Sequence, residues 1–277
     1  MINVKTLETT GLAIIAEVFN AAFADYFVPF HVDQHYLYKR WKAASVDYKL
    51  SFGAFDGDQL VGFLVFGVDQ RDGKRTAHNA ATGVVPAYRG NGLVRRMYEA
   101  ALPLLKLAGV QYSTLEVITR NEIAIKAYTG IGYSVRRTLL CFSGKLNLTG
   151  EQHLQLTKIK EIPAIIPEEI YTYPDTWEQS EKALRIANPD YEFWFIEEAA
   201  KMKAYAIVNP ESGYIARFGF ANGKVLPYGE QLFSAIGTEF SLVKINNVDS
   251  TESELADFLS NAGLSNHINQ YEMVMEL

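Results

Sequence analysis

The sequence predicts an α/β (α+β) protein built from two successive units. Stretches with apolar residues at helical spacing interleave along the chain with strand-like apolar runs. Leu115–Tyr133 and Val243–Leu264 share one order: strand, polar break, helix, Gly and apolar residue. That repeat is one of pattern rather than of identity. With 277 residues, 48% of them hydrophobic, and sixteen Tyr and sixteen Phe, the chain has material for two cores.

Taken in order, residues 3–7 read as a strand and Leu12–Phe23 as a helix with Leu12, Ile15, Val18, Phe19 and Ala22 on one face. The aromatic stretch Phe23–His35 reads as a loop or broken helix, and Tyr36–Ala44 as a second helix. Strands Leu50–Phe55 and Leu60–Gly67 flank Asp56-Gly57-Asp58-Gln59, a hairpin signal. Strand His78–Val85 ends at Pro86, and the loop Ala87–Gly92 opens a helix with Leu93, Met97, Ala100, Ala101, Leu104 and Ala108 on one face. Pro103 predicts a kink or an early end there, because an interior Pro removes a backbone bond. Strand Tyr112–Val117 follows, then a helix capped by Asn121 and stopped at Gly132, and strand Tyr133–Leu148 closes the unit. Thr149–Tyr173 reads as a connection. Beyond it come helix Trp177–Ile186, strands Tyr191–Ile196, Lys203–Val208 and Tyr214–Phe220, helix Gly229–Ile236, strand Ser241–Ile245, helix Glu252–Asn261 and strand His267–Leu277.

The formal net charge of −6 and a pI near 5.5 disfavour a general nucleic-acid binder and sit well with an amine-bearing substrate. A single Cys141, read as a small core residue, excludes an intrachain disulfide and fits a reducing compartment. Neither a signal peptide nor a membrane-spanning run is legible, so the expected setting is cytoplasmic, with no membrane partner. The five His are scattered without ligand spacing, so no metal is expected.

The stretch with most chemical content is Val84-Val85-Pro86-Ala87-Tyr88-Arg89-Gly90-Asn91-Gly92-Leu93. Two glycines at the start of a helix let backbone N–H groups converge, and the helix end adds a partial positive charge. Such a loop is an anion site, and taken alone it is equally a plain strand-to-helix turn.

Those residues resemble the acetyl-CoA signature of the GNAT superfamily of N-acetyltransferases, an Arg-x-x-Gly-x-Gly loop after a strand ending in Val-x-Pro. A second family motif follows at the right separation, in Leu115-Glu116-Val117, Asn121, Ala124, Tyr128 and Gly132-Tyr133. The resemblance covers residues 1–148 by element order and is sharp from Thr82 to Tyr133. It implies two GNAT-like domains, 1–148 and 149–277, each a mixed, mostly antiparallel central sheet flanked by helices. It further implies an N-acetyltransferase that moves the acetyl group of acetyl-CoA, as cosubstrate, to a small-molecule or protein amine by direct attack in a ternary complex. A non-catalytic acyl-CoA-binding sensor is the alternative. On this resemblance Arg89, Gly90, Asn91, Gly92, Leu93 and Val94 cradle the pyrophosphate, and the N–H groups of Val84 and Val85 polarise the thioester carbonyl. Asn121 bonds the pantetheine arm, and Tyr128 is the general acid. Val94 departs from the family, which has Gly or Ala there.

Each role has a plainer counterpart. Tyr128 also reads as a half-buried helix Tyr and Asn121 as only a cap. Glu116 is either the base that deprotonates the ammonium or an exposed or paired carboxylate, set opposite Leu115 and Val117 on its strand. In Phe23–His31, Asp25 and Tyr26 either hold the amine among aromatic rings or belong to a core-packing loop. The second half resembles a degenerate GNAT domain: Ala221–Glu230 lacks the glycine signature, Glu230 stands at a helix start where it would repel a phosphate, and Leu259 replaces the tyrosine. No acetyl-CoA is expected there. The expected role of this half is to complete the acceptor cleft or stabilise the first.

Overall fold

Two tight turns build the first sheet. β1 (Ile2–Thr6) pairs antiparallel with β2 (Phe52–Asp56), which turns at Gly57 (φ 59°) into β3 (Gln59–Arg71). A second Asp-Gly pair, Asp72 (φ 51°) and Gly73 (φ 73°), then turns β3 into β4 (Lys74–Val84). Both residues lie in the left-handed region that hairpin turns of this kind require. That turn makes β3 and β4 longer than the sequence reading allows. β5 (Tyr112–Ile118) runs parallel to β4, and the C-terminal strand Gln270–Glu276 lies beside β5.

Helices α1 (Leu12–Ala22) and α2 (Gln34–Ala43, capped by Asp33) pack with β3 through Ile15, Phe19, Leu37, Trp41, Phe63 and Val65. α3 (Leu93–Leu107) buries Leu93, Met97, Tyr98, Ala101 and Leu105. The helix does not end at Pro103 but runs four residues past it, the apolar stripe holding the last turn in place. α4 (Glu122–Ile131) is capped by Asn121, whose side chain accepts from the Ala124 N–H at 3.2 Å, and stops at Gly132, φ 125°.

The structure, a computed structural model, describes residues 1–28, 31–148, 153–171 and 173–277. Pro29 and Phe30 of the aromatic stretch, and residues 149–152 and 172 of the connection, lie outside the described residues. The chain separates into one unit of Met1–Arg136 with Glu272–Leu277 and another of Arg137–Tyr271. Compared with the expected division after 148, residues 137–148 fall in the second unit and 272–277 in the first.

In the second unit β6 (Ser134–Gly144) pairs from Leu139 onward with β12 (Val243–Asp249). Beside β12, in order, lie β11 (Tyr214–Ala221), β10 (Lys201–Val208), β9 (Glu192–Glu198) and β7 (Leu156–Ile159). The stretch 149–173 is therefore more than a connection. Besides β7 it holds β8 (Ile170–Tyr171), which pairs with β11. The helix expected from Trp177 is shorter, α5 (Glu181–Ile186), because Ser180 caps it by accepting from Ala183 N–H. α6 (Tyr228–Glu239) and α7 (Ser253–Asn261) complete the unit.

Candidate active site

β4 and β5 share a ladder only from Thr76↔Tyr112 to Asn79↔Leu115. Past Asn79, β4 continues to Val84 and β5 to Ile118 with no further pairing between them, so the two strands part. The register with β3 slips here: Phe66 faces Asn79 and Val65 faces Ala81, leaving Ala80 as the extra residue of a bulge. Residues three apart on a regular strand point to opposite faces. The bulge restores the parity, so Asn79 and Thr82 both face the α3 and α4 side.

The same ladder decides which N–H groups point into the gap. Val85 N–H donates to Val61 C=O at 3.0 Å, which makes Val61–Val85 a hydrogen-bonded pair. In an antiparallel ladder the pairs alternate, so Val84 and Thr82 turn their N–H groups away from β3, toward the gap. Of the two N–H groups expected to face a carbonyl, that of Val84 is on this edge and that of Val85 is spent on β3.

The loop 86–92 is held by its side chains and by one 3-10 turn at Pro86–Tyr88, in which Tyr88 N–H donates to Val85 C=O at 2.9 Å and Arg89 N–H to Pro86 C=O at 3.2 Å. Tyr88 donates to Asp56 Oδ2 at 3.2 Å, and Asn91 Nδ2 folds back onto the carbonyls of Tyr88 and Arg89. Arg89 reaches the carbonyls of Val84 and Ala22 and grips Asp25 with two bonds of 2.6 and 2.7 Å. This contact lowers the pKa of Asp25 and raises that of Arg89, the hydrogen bond being the main cause of both. Asp25 thus ties the segment after α1 to the loop. Gly90 (φ 79°) and Gly92 (φ 67°) adopt left-handed backbone, and a Cβ at either would meet no atom within 4 Å. Leu93 is buried and anchors the start of α3, while Val94 is half-buried in its first turn. The first N–H bonded within the helix is that of Arg96, to Gly92 C=O, so those of Leu93, Val94 and Arg95 have no intrahelical acceptor.

At the mouth of the gap stand two tyrosines. The Tyr128 hydroxyl, on α4, lies beside Thr82 and Asn79, whose side chains favour its charged form, and near Tyr26. Tyr26 in turn lies against Asn121. Burial raises the pKa of both tyrosines, so each holds its proton through the neutral range. Tyr26 also packs edge-on against Phe23 and Phe27. Glu116 is half-buried and shares its strand face with Tyr112 and Thr114, opposite Ser113, Leu115 and Val117. Tyr128, Tyr26, Asn121, Thr82 and Val84 therefore gather around one opening, while Asp25 turns to Arg89. Thr82 and Asn79 were not legible as site residues, because only the Ala80 bulge brings them to one face.

Residues 15–133 match the family model described as Acetyltransferase (GNAT) family. The match lies wholly within the first unit, which is similar to a GNAT domain. N-alpha-acetyltransferase 30 of Schizosaccharomyces pombe is 30% identical over 86 residues, which span 31% of this chain and 57% of that protein. A tandem GNAT protein from the clavulanic acid biosynthesis pathway superposes over 100% of this chain and 98% of its own, with a TM-score of 0.67 at 14% identity. A GCN5-related N-acetyltransferase from Sphaerobacter thermophilus does so over 99% and 95%, with a TM-score of 0.69 at 13% identity. The fold is thus that of two GNAT-like domains, each with a mixed, mostly antiparallel sheet flanked by helices. Among the described residues no group of three metal-ligating side chains is present, and no helix is long and apolar enough to cross a membrane.

Proposed function

We propose that the first unit is an acetyl-CoA-dependent N-acetyltransferase acting on a primary amine in a ternary complex. The observation that carries this is one continuous path. It starts at the open N–H cradle of Gly90–Leu93, follows the unpaired edge of β4 at Val84 and Thr82, and ends at the Tyr128 hydroxyl. The empty space around Gly90 and Gly92 and the positive end of α3 suit a pyrophosphate. The β4 edge and Asn121 suit the amides of a pantetheine arm. When bound, acetyl-CoA supplies an activated acyl thioester.

The chain's own residues supply position and protons. Val84 N–H is fixed at the parting of the strands, where a carbonyl oxygen would gain from a preorganised donor. Tyr128 holds a proton at Oη in a neutral, buried setting and delivers it to the leaving group. Glu116 is the candidate for taking a proton from the incoming ammonium from the other face of the sheet. Tyr26, beside Asn121 and Tyr128, lines the acceptor side. The name of the fission-yeast relative supports including peptide α-amino groups among the acceptors tested.

The test is coenzyme A release over a panel of small amines and peptide N-termini, alongside calorimetric binding of acetyl-CoA. Turnover with at least one amine is expected. Tight binding with no turnover across the panel would point instead to an acyl-CoA sensor, and absence of binding would remove both readings.

A further inference from the structure

Behind Tyr128 lies a buried polar chain that acetyl transfer as described above does not use. Thr82 Oγ1 donates to Asn79 Oδ1 at 2.9 Å, and Asn79 Nδ2 donates to the Tyr98 hydroxyl at 2.8 Å. Tyr98 donates to Tyr133 at 3.3 Å, and Tyr133 meets Ser113 Oγ at 2.5 Å. Asn79, Tyr98, Tyr133 and Ser113 are all buried. The rings of Tyr98, Tyr128 and Tyr133 pack edge-to-face, with centroids 5.8 to 6.3 Å apart. A polar chain of this length in a core is costly unless every member is satisfied. It fixes the amide of Asn79, and through it the place of Thr82. The Thr82 hydroxyl, free to rotate about its C–O bond, is then a donor held beside Tyr128.

We infer that Thr82 is a positioning residue for Tyr128, its hydroxyl turning from Asn79 Oδ1 to the Tyr128 oxygen once that oxygen has given up its proton. This deepens the proposed acetyl transfer and rests on it for the role of Tyr128, but not for the physical effect. The only bond broken is the Tyr128 O–H, whose proton goes to the leaving group; the Thr82 O–H swings and stays intact. A donor to the phenolate stabilises it and so makes Tyr128 a stronger acid than burial alone would. The groups facing the Tyr128 hydroxyl from each packed element are Thr82 and Asn79 on β4, Tyr98 on α3, Tyr133 after α4 and Tyr26 after α1. All of these are neutral near pH 7, and Glu116 sits on the opposite face of β5.

The experiment places a ring-fluorinated tyrosine, whose phenol titrates well below that of tyrosine, at position 128 of the full chain and follows its fluorine NMR signal with pH. A hydrogen bond to a charged group is worth about one pH unit or somewhat more. Thr82→Val is expected to raise the pKa by about that much, and Thr82→Ser to return it to the starting value. A packing disturbance that lets water in would lower it, the opposite sign. An unchanged or lowered pKa in Thr82→Val, or a Ser variant that behaves like Val, overturns the inference. Acetyl-CoA is not needed for this titration, so a protein that fails to bind or transfer would discredit the enzyme reading without touching this result.

Discussion

At the residue scale, Tyr128 governs the chemistry and His78, one strand position before Asn79, governs a pH-dependent part of the stability. Tyr128→Phe keeps the ring and removes the proton. It is expected to leave acetyl-CoA binding unchanged while lowering kcat on the order of 100-fold. Calorimetry and single-turnover assays on the two proteins check both halves, and undiminished turnover would take Tyr128 out of the acid role. His78 is buried, bonded to Thr114 Oγ1 at 3.0 Å, and burial lowers its pKa to about 3, with Arg71 and Arg40 adding to the effect. The unfolded chain protonates this residue at about pH 6.5, so below that value the unfolded state binds the extra proton. Stability therefore rises with pH between about 3 and 6.5 and is lost as pH falls, by a few kcal/mol at most. Urea midpoints measured down to about pH 4 should show this slope, and His78→Gln should flatten it.

At the element scale, the bulge and close approach of β4 shape the site. Gly83 sits where a Cβ would stand 2.7 Å from the Phe63 ring and 3.0 Å from Ala22 Cβ of α1. Gly83→Ala should lower stability by about 1–3 kcal/mol, with part of the loss recovered by Phe63→Leu in the same chain. Equal urea midpoints for Gly83→Ala and the parent would mean that β4 does not approach α1 this closely. Much at this scale was legible. Asn121 declares its cap, Gly132 its stop, and Asp56-Gly57 its turn, because each acts through local backbone preference. Asp72-Gly73 carries the same signal, but it lies among polar residues without the flanking apolar runs that mark a hairpin. The Ala80 bulge leaves no such trace: Ala is neutral to it, and the slip is set by pairing with β3. A bulge that changes parity is what hid Thr82. The tie of Asp25 to Arg89 was hidden as well, since the two are 64 positions apart.

At the scale of the whole molecule, the two units repeat one plan with opposite outcomes. β11 pairs in parallel with β12 only at Tyr214↔Lys244 and Ile215↔Ile245, then the strands part as β4 and β5 do. In the second unit the parted edge is taken. β8 pairs with it at Phe220↔Tyr171 and Ala221↔Ile170, and Asn222 N–H donates to Glu169 C=O at 2.7 Å. The sequence signals for this difference, Glu230 in the first turn of α6 and buried Leu259 in place of a tyrosine, lie in motifs. The strand that fills the edge sits in a segment with prolines at 163 and 167, which read as a connection because two residues carry no periodicity. One acetyl-CoA per chain follows from the proposed site. The most direct test is a calorimetric titration of acetyl-CoA into the intact chain and into Gly92→Asp, which tolerates the left-handed backbone but sets a carboxylate at the cradle. A stoichiometry near one is expected for the parent, with binding lost or weakened at least tenfold in the variant; two sites per chain, or equal affinity in both proteins, would rule out the proposed cofactor site.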